Sequence, residues 1–387
     1  MSILWVRVVQ VIQMKRSFSQ AFFVILLVIS ASLSVSAQSA AIVLDFGAVS
    51  DDDIDDTQSI QAAIDHVLQR GGGSVLFGAG TYLVSGRLNV VPDEIGIDVS
   101  FKGEGTSAIQ IGAGDGVRVF YAGNLNQLNF MDLTFFGRNV MSGHPEFIDA
   151  GYLIFADNVL AFNMIRCNFF GIATRDSSTG RGAIIYLGAT EGVIRDTNFN
   201  GSYAPYPDGS LIEARNSRGL IVANTRFIDY ANYRGEYFSK TTAFVGAWIR
   251  ALNTEDFDSS QGKGLVVEDS FFDEGAAVGI DAIGISTVKI GGLRINVNGT
   301  SPGRGIRLNK VKYAEVTRSV FGMASYPRPA IETVQAEGLK ISGLRFSEEV
   351  YFLMNNGLQS ASVEFCPQCG VIVQSPRRPP KVDSTFK

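Results

Sequence analysis

The hydrophobic pattern of this chain is a short unit that recurs eight times between Leu128 and Phe346. Each unit reads apolar-x-apolar-x-x-x-x-aromatic, most clearly in residues 220–227, 265–272 and 339–346. Alternating apolar positions, a polar or glycine residue and a second apolar position predict two short strands joined by a turn. One such unit cannot bury its apolar face alone, so successive units are expected to stack.

The spacing of the units indicates how they stack. Most steps between the residues that end successive units are 23 to 34 residues long, and one is 45. Repeats of this length are typical of solenoids and propellers. A propeller blade needs four strands, whereas each unit here has two strands and a third short apolar run. The sequence therefore predicts an all-β fold, a single-stranded parallel β-helix solenoid with three strands per turn. The terminal residues are Phe135, Phe169, Phe199, Phe227, Phe272, Ile295, Phe321 and Phe346.

Residues 41–90 precede these units and have a different pattern. A strand is predicted over residues 42–46, followed by an aspartate cluster in which Asp55 or Asp56 is placed to cap a helix. Ile60, Ala63, Ile64, Val67 and Leu68 fall on one face of that helix, and the glycines at 71–73 end it. An open β-helix exposes unpaired backbone and core side chains at its end. The amphipathic helix is therefore expected to cap the first turn.

This N-terminal part resembles a known family. The segments DFGA (45–48), DDT (55–57), IQAAID (60–65), GGG (71–73) and GTYLVS (80–85) are similar to the N-terminal signature of pectate lyase-like proteins. The resemblance implies a right-handed parallel β-helix. The family includes polysaccharide lyases, glycoside hydrolases, uronan epimerases and phage tail depolymerases, so the fold does not choose the reaction. Trimers occur in the family, but nothing in this sequence requires one.

The two ends of the chain are predicted to lie outside the β-helix domain, which is expected to span residues 38–374. In residues 1–37, three basic residues precede an apolar run, and Val35-Ser36-Ala37 resembles a cleavage site. That pattern predicts a signal peptide cleaved near Ala37, a secreted or periplasmic protein, and no stable membrane span after cleavage. An uncleaved membrane anchor is the alternative, which is less favoured because the apolar run is shorter than the ~20 residues of a membrane span. Residues 375–387 form a basic, proline-rich tail that is expected to be disordered.

Charge and cysteine content narrow the function classes. The formal net charge of −5 makes this protein a poor candidate for nonspecific nucleic-acid binding. Cys167 lies at an inward position of its unit and is predicted to be a core residue. Cys366 and Cys369 follow the last unit and could form a local disulfide or stay reduced. Two thiols without a nearby histidine argue against a zinc site.

A third strand is predicted about eight residues before most units, with an isoleucine facing inward and the next residue facing outward. The inward residues are Ile154, Ile184, Ile212, Ile249, Ile280, Ile306 and Ile331. The outward residues are Phe155, Ile185, Glu213, Arg250, Asp281, Arg307 and Glu332. The last five alternate in charge, and we call them the charge ladder. With strands about 4.8 Å apart, the ladder would extend roughly 20 Å, enough for several sugar subsites.

The charge ladder supplies the predicted catalytic residues Arg250, Arg307, Glu213, Asp281 and Glu332. An arginine can bind a sugar carboxylate, and the family resemblance implies that it can also take the proton beside a uronate carboxyl group. Ca²⁺ held by Asp281 and Glu213 would acidify that proton. The spacing of the same two acids, about 9.6 Å, also falls near that of an inverting hydrolase pair. A structural interpretation is equally open, because opposite charges on adjacent strands stabilise a sheet.

An insertion next to the charge ladder supplies the predicted substrate-binding residues. Aromatic rings that stack on sugars, with polar groups beside them, are typical of glycan grooves. Trp248 is expected to face outward on the ladder strand of Arg250. The remaining candidates in the insertion are Tyr230, Tyr233, Arg234 and Tyr237.

The sequence thus favours an exported protein that binds a polysaccharide and cleaves it as a lyase at a uronate. A glycoside hydrolase or a uronan epimerase of the same fold is the alternative. Motifs expected of polygalacturonase-like hydrolases and alginate epimerases are missing from the sequence, so both the hydrolase and the epimerase are less favoured than the lyase. The alternative of another class is a non-catalytic protein that binds glycans or assembles cell-surface or exopolysaccharide structures.

Overall fold

The computed structural model describes residues 39–111, 118–137, 147–148, 151–174, 182–202, 204, 209–228, 245–254, 264–273, 276–298, 304–324, 329–346, 351–356 and 360–364. The predicted signal peptide, the basic tail, Cys366 and Cys369 lie outside these residues and stay predictions. Among the described residues, none of the helices has the length and apolar character needed to cross a membrane.

Three parallel sheets are wound from successive coils of the chain. From the coil that begins at Ile97 onward, the chain passes from sheet 1 through a short turn to sheet 3, then through a longer connection to sheet 2, and by a second short turn back to sheet 1. This is the predicted right-handed parallel β-helix with three strands per turn.

Within the described residues, sheet 1 has twelve strands: Ser39–Ile42, Gly73–Phe77, Ile97–Gly103, Leu125–Met131, Ala161–Ile165, Glu191–Arg195, Gly219–Ala223, Gly264–Glu268, Thr287–Gly291, Tyr313–Thr317, Gly338–Ser342 and Ser360–Glu364. The strands of sheet 2 that the structure describes are Leu88–Val90, Phe120–Gly123, Tyr152–Asp157, Ala183–Gly188, Ser210–Arg215, Val245–Leu252, Ala276–Ile283, Arg304–Asn309, Pro329–Val334 and Tyr351–Asn356. Those of sheet 3 in the same part of the chain are Gly80–Val84, Ser107–Ile111, Thr134–Phe136, Asn168–Phe170, Asn198–Asn200, Arg226–Ile228, Phe271–Asp273, Arg294–Asn298, Val320–Ala324 and Arg345–Phe346. Phe147–Ile148 and Ala173–Thr174 pair separately.

The turn between sheets 1 and 3 explains the polar residue at the centre of each sequence unit. One residue there adopts the left-handed conformation, as in Asn224 (φ 47°) and Gly292 (φ 67°). Asparagine, aspartate and glycine tolerate this conformation better than other residues. The predicted turn residues Asp132, Asp196, Asn224, Asp269, Gly292 and Gly343 all have positive φ and are confirmed.

The residues that end the eight units pair with one another from coil to coil, as the repeat predicts. Five of them form a continuous stack of buried rings with centroid spacings of 4.9, 4.7, 5.0 and 4.8 Å. Their planes differ by only 2° to 9°. This phenylalanine stack consists of Phe135, Phe169, Phe199, Phe227 and Phe272. It forms a central part of the hydrophobic core.

Cys167 is also a core residue, as predicted, and its side chain is fully buried. Burial raises the pKa of its thiol to about 12. A thiol that remains protonated at neutral pH is a poor nucleophile, so Cys167 fills space in the core.

The cap helix, Thr57–Gln69, packs its predicted apolar face on the first coil, with Ile60, Ala63, Ile64 and Val67 buried. The strand predicted over residues 42–46 is wrong: the strand is Ser39–Ile42, and Val43–Phe46 is a 3-10 helix. Gly47 follows in the left-handed region at φ 95°, and its N–H donates to Leu44 O. This early turn directs the chain toward the cap helix.

Asp56 connects the approach to the cap helix with the first strand of sheet 3. Its side-chain oxygens accept hydrogen bonds from the N–H groups of Val49 (2.9 Å) and Leu83 (3.0 Å). Burial raises the pKa of this carboxyl, and the two N–H donors oppose that shift. Asp56 therefore serves as an acceptor for two backbone groups. Its carboxylate does not cap the helix; Asp55 Oδ1 accepts from Thr57 N at 3.1 Å.

We expect Asp56→Ala to lower the free energy of unfolding by roughly 1–3 kcal/mol for each donor left unsatisfied. Urea denaturation followed by circular dichroism measures this loss. The control is Asp52→Ala, which removes one exposed local contact with Ile54 N. A loss no larger in Asp56→Ala than in the control would contradict the assigned role.

Candidate functional site

The charge ladder lies on the outer face of sheet 2, and its predicted register is confirmed. Successive pairings join Glu213 to Arg250, Arg250 to Asp281, Asp281 to Arg307 and Arg307 to Glu332. The isoleucines one position earlier are all fully buried. Period-2 alternation therefore places the five charged residues at equivalent outward positions on adjacent strands.

The prediction for the preceding coil is wrong by one residue. Ile185, expected to face outward, is fully buried and pairs with Ile154 and Ile212. The outward residue is Tyr186, which pairs with Phe155 and Glu213. The turn after this strand is one residue shorter than in most coils, so counting back eight residues misses the register.

Trp248 was predicted to face outward, and this is also wrong. The indole is buried in the hydrophobic core, with its ring centroid 5.9 Å from that of Phe227. The corresponding residues of other coils, such as Leu153 and Leu211, are buried as well. The chain turns into sheet 2 at this position, so two consecutive side chains face the core. Tyr230, Tyr233, Arg234 and Tyr237 lie outside the described residues, and their roles stay predictions.

Asp281 is the centre of the charge ladder. It is fully buried although it lies on an outward position, because an arginine from each neighbouring strand covers it. Arg250 Nε donates to Asp281 Oδ2 at 3.2 Å, and Arg307 Nε donates to Oδ1 at 2.7 Å. Arg307 Nη2 also donates to Oδ2. Both oxygens of this carboxylate are therefore occupied by guanidinium groups.

The two outer acids of the charge ladder are paired as well. Arg215 Nη2 lies 2.6 Å from Glu213 Oε1, and Arg304 Nε lies 2.7 Å from Glu332 Oε2. Burial alone would lower the pKa of Arg215, but the Glu213 carboxylate raises it above its ordinary value overall. Each acid of the ladder thus has an arginine partner within reach.

The geometry does not fit the predicted calcium site at Glu213 and Asp281. Arg250 separates the two acids in the register, and arginines occupy both carboxylates. Ca²⁺ requires six to eight oxygen ligands. Among the residues that the structure describes, there is no group of three or more acidic, histidine or cysteine side chains that could hold a metal ion.

An aromatic segment continues the outer face of sheet 2 from Glu213 toward the cap helix. Pairings join Asn89 to Tyr121, Tyr121 to Phe155 and Phe155 to Tyr186. The rings of Tyr121, Phe155 and Tyr186 are stacked, with centroid distances of 5.6 and 4.5 Å. Extending the ladder register backward by whole coils would have found Tyr121. Tyr186 required knowledge of the shorter turn.

Two features of this face bear on proton transfer. Both predicted bases, Arg250 and Arg307, donate hydrogen bonds to Asp281, so a carboxylate stabilises the positive charge of each guanidinium group. Tyr186 has a different character: burial raises the pKa of its phenol, and the positive charge of Arg215 opposes that shift. A phenol that stays protonated at neutral pH can donate a proton or hydrogen bond to a ligand.

Comparison with known proteins agrees with this architecture. Residues 41–146 match the sequence model of the family described as rhamnogalacturonase A/epimerase, pectate lyase-like. Comparison with curated protein sequences finds no match.

Several solved structures are similar over most of the chain. The A-module of the mannuronan C-5 epimerase AlgE4 from Azotobacter vinelandii has a TM-score of 0.50 and 17% identity, covering 84% of this chain and 94% of that one. The surface adhesin PfbA of Streptococcus pneumoniae has a TM-score of 0.46 and 16% identity, covering 84% and 92%. The tailspike protein of the E. coli bacteriophage HK620 has a TM-score of 0.48 and 11% identity, covering 84% and 67%. At this low sequence identity, the likeness to the AlgE4 A-module establishes the fold and leaves the reaction open.

The sheet order and the likeness to the AlgE4 A-module define a right-handed parallel β-helix protein. The match over residues 41–146 confirms the resemblance of this N-terminal part of the chain to pectate lyase-like proteins.

Proposed function

We propose that this protein is exported, binds an acidic polysaccharide along the outer face of sheet 2, and cleaves it by β-elimination at a uronate. The observation that carries the proposal is the continuous outward row from Asn89 to Glu332, in which aromatic rings give way to closely spaced arginines. Parallel strands about 4.8 Å apart repeat such groups regularly along the face. A linear polymer can follow a row of this kind.

The proposed reaction has requirements that suggest roles for named residues. A base removes the proton from the carbon beside the uronate carboxyl group, the bond from the next carbon to the glycosidic oxygen breaks, and a double bond forms between the two carbons. Arginines stabilise the negative charge that develops on the carboxyl group. Tyr186 lies next to Glu213 in the register and can protonate the leaving oxygen. Arg250 and Arg307 are the predicted bases, and their bonds to Asp281 favour a carboxylate-binding role in addition.

The assay uses purified protein with a panel of acidic polysaccharides. Elimination creates a conjugated double bond, so rising ultraviolet absorbance is expected. New reducing ends without absorbance would contradict the lyase and favour a hydrolase, and an altered uronate composition at constant chain length would favour an epimerase. A parallel assay with a chelator tests the predicted calcium requirement, and calcium-independent turnover is the result that agrees with the geometry.

We expect Arg250→Lys and Arg307→Lys each to reduce turnover about tenfold or more. Lysine keeps a positive charge beside Asp281 but loses the planar set of donors that binds a carboxylate. Steady-state kinetics measures the loss, and urea denaturation verifies that the fold persists. Lys340→Arg is the matched control, because Lys340 forms a cross-strand ion pair with Glu315 on sheet 1. Unchanged turnover in both ladder variants would remove these arginines from the mechanism.

A second function, non-catalytic glycan binding or surface assembly, is favoured by one observation. Every acid of the charge ladder has an arginine partner, as in a structural salt network. Retained binding of acidic glycans with no product from any polymer would select this function over the lyase.

A further inference from the structure

The end of sheet 2 nearest the cap helix carries two arginines that differ from those of the charge ladder. Arg87 immediately precedes the edge strand Leu88–Val90, and Arg118 lies two residues before the neighbouring strand Phe120–Gly123. The guanidinium of Arg87 lies 4.0 Å from the centroid of the Tyr121 ring. That of Arg118 lies 3.8 Å from the Phe155 ring and 5.4 Å from the Tyr121 ring. The two cations therefore share one aromatic surface.

Neither arginine has a carboxylate partner among the residues that the structure describes, in contrast to the arginines at Asp281, Glu213 and Glu332. Stacking on a ring occupies the face of a guanidinium and leaves its N–H edges available. Arg87 is exposed and Arg118 is half-buried. Both cations lie near the Tyr121 ring, so their positive charges act on the same part of the surface and favour an anion there.

The local framework holds these groups in place. Gln61 of the cap helix accepts a hydrogen bond from Asn89 N at 2.7 Å and donates to Asn89 O at 3.1 Å. These bonds connect the edge strand of sheet 2 to the helix. The Tyr121 ring is stacked on Phe155, which is stacked in turn on Tyr186. Because the arginines rest on rings that are already stacked, they lose less conformational entropy when a ligand binds.

We propose that Arg87 and Arg118 bind a carboxylate of the acidic glycan, as an anchor separate from the charge ladder. This inference rests on the proposed function for the identity of the polymer. Tyr121 lies four strands from Arg250 in the register, or roughly 19 Å at about 4.8 Å per strand. The anchor would therefore fix one uronate of the chain while another lies over the ladder.

The test uses the full chain with Arg87→Gln and Arg118→Gln combined. Glutamine keeps part of the stacking surface and removes the charge. Isothermal titration calorimetry with polygalacturonate is expected to show affinity reduced about tenfold or more, together with a weaker salt dependence. The matched control combines Arg226→Gln and Arg294→Gln, because these arginines lie 5.9 and 5.7 Å from the Phe271 ring on sheet 3. The control is expected to bind within about twofold of wild type.

An equal loss of affinity in both double variants would overturn the proposal in favour of general electrostatic attraction. Unchanged affinity in the variant of Arg87 and Arg118 would overturn it directly.

A second measurement separates this inference from the proposed function. Galacturonate monosaccharide is expected to raise the melting temperature of wild type, whereas galactose is not, and the double variant should lose the response. If galacturonate stabilises the protein but no polymer binds, the proposed function fails and the anion site stands. If polymers bind and galacturonate has no effect, the anion site fails alone.

Discussion

Phe169→Ala is expected to lower the free energy of unfolding by about 3–5 kcal/mol, because it removes a fully buried ring and leaves a cavity. Phe169 lies between Phe135 and Phe199 in the phenylalanine stack, at 4.9 and 4.7 Å. The backbone of a coil cannot close the gap without disturbing its parallel pairings on both sides. Urea denaturation monitored by circular dichroism measures the loss.

The next residue along the same strand provides the control for this prediction. Phe170 faces outward, is half-buried, and stacks on Phe136 at 5.3 Å. Phe170→Ala should cost only about 1 kcal/mol, since the pair remains partly in contact with water. If the two substitutions had equal effects, the stability of the β-helix would not depend on inward packing as described.

Asp281→Ala is the second substitution with a large expected effect, a loss of about 3–5 kcal/mol. It leaves Arg250 and Arg307, whose side chains are only 13% and 29% exposed, without the carboxylate that both contact. Breaking a buried ion pair on one side is costly because the remaining charge is not fully rehydrated. Urea denaturation gives the free energy of unfolding.

Glu315→Ala is the matched control for Asp281→Ala. Glu315 is also an acid paired across adjacent parallel strands, with Lys340 at 3.2 Å, but its own side chain is 29% exposed, whereas that of Asp281 is fully buried. Its removal should cost less than about 1 kcal/mol. A similarly small loss in Asp281→Ala would show that the buried ion network contributes little to stability, and would strengthen a role for Asp281 in ligand binding instead.

These two experiments also clarify how the charge ladder should be tested for catalysis. An alanine substitution at Arg250 or Arg307 removes one of the two described cations that pair with Asp281, so a loss of turnover would be mixed with a loss of stability. Arginine-to-lysine substitutions avoid this difficulty. They retain the charge that Asp281 needs and change the geometry that a sugar carboxylate would require.

The sequence alone determined the coil, the turn residues and five members of the charge ladder, because these follow from local periodicity. A residue repeated at equivalent positions of a solenoid must stack on its counterparts. The sequence could not predict Trp248 in the core or Tyr186 on the surface, because a bend at the start of the sheet 2 strands and a shortened turn change the phase of the alternation.

Tertiary structure alone decided which groups are available for a ligand. The ladder appeared in the sequence as five charges in a row, but arginines from adjacent strands enclose Asp281 and occupy its oxygens. Arg87 and Arg118 had no distinguishing sequence pattern, and only the folded sheet brings both over the Tyr121 ring. Alternation sets the face on which a side chain lies. Its partners depend on packing between coils that are distant in sequence.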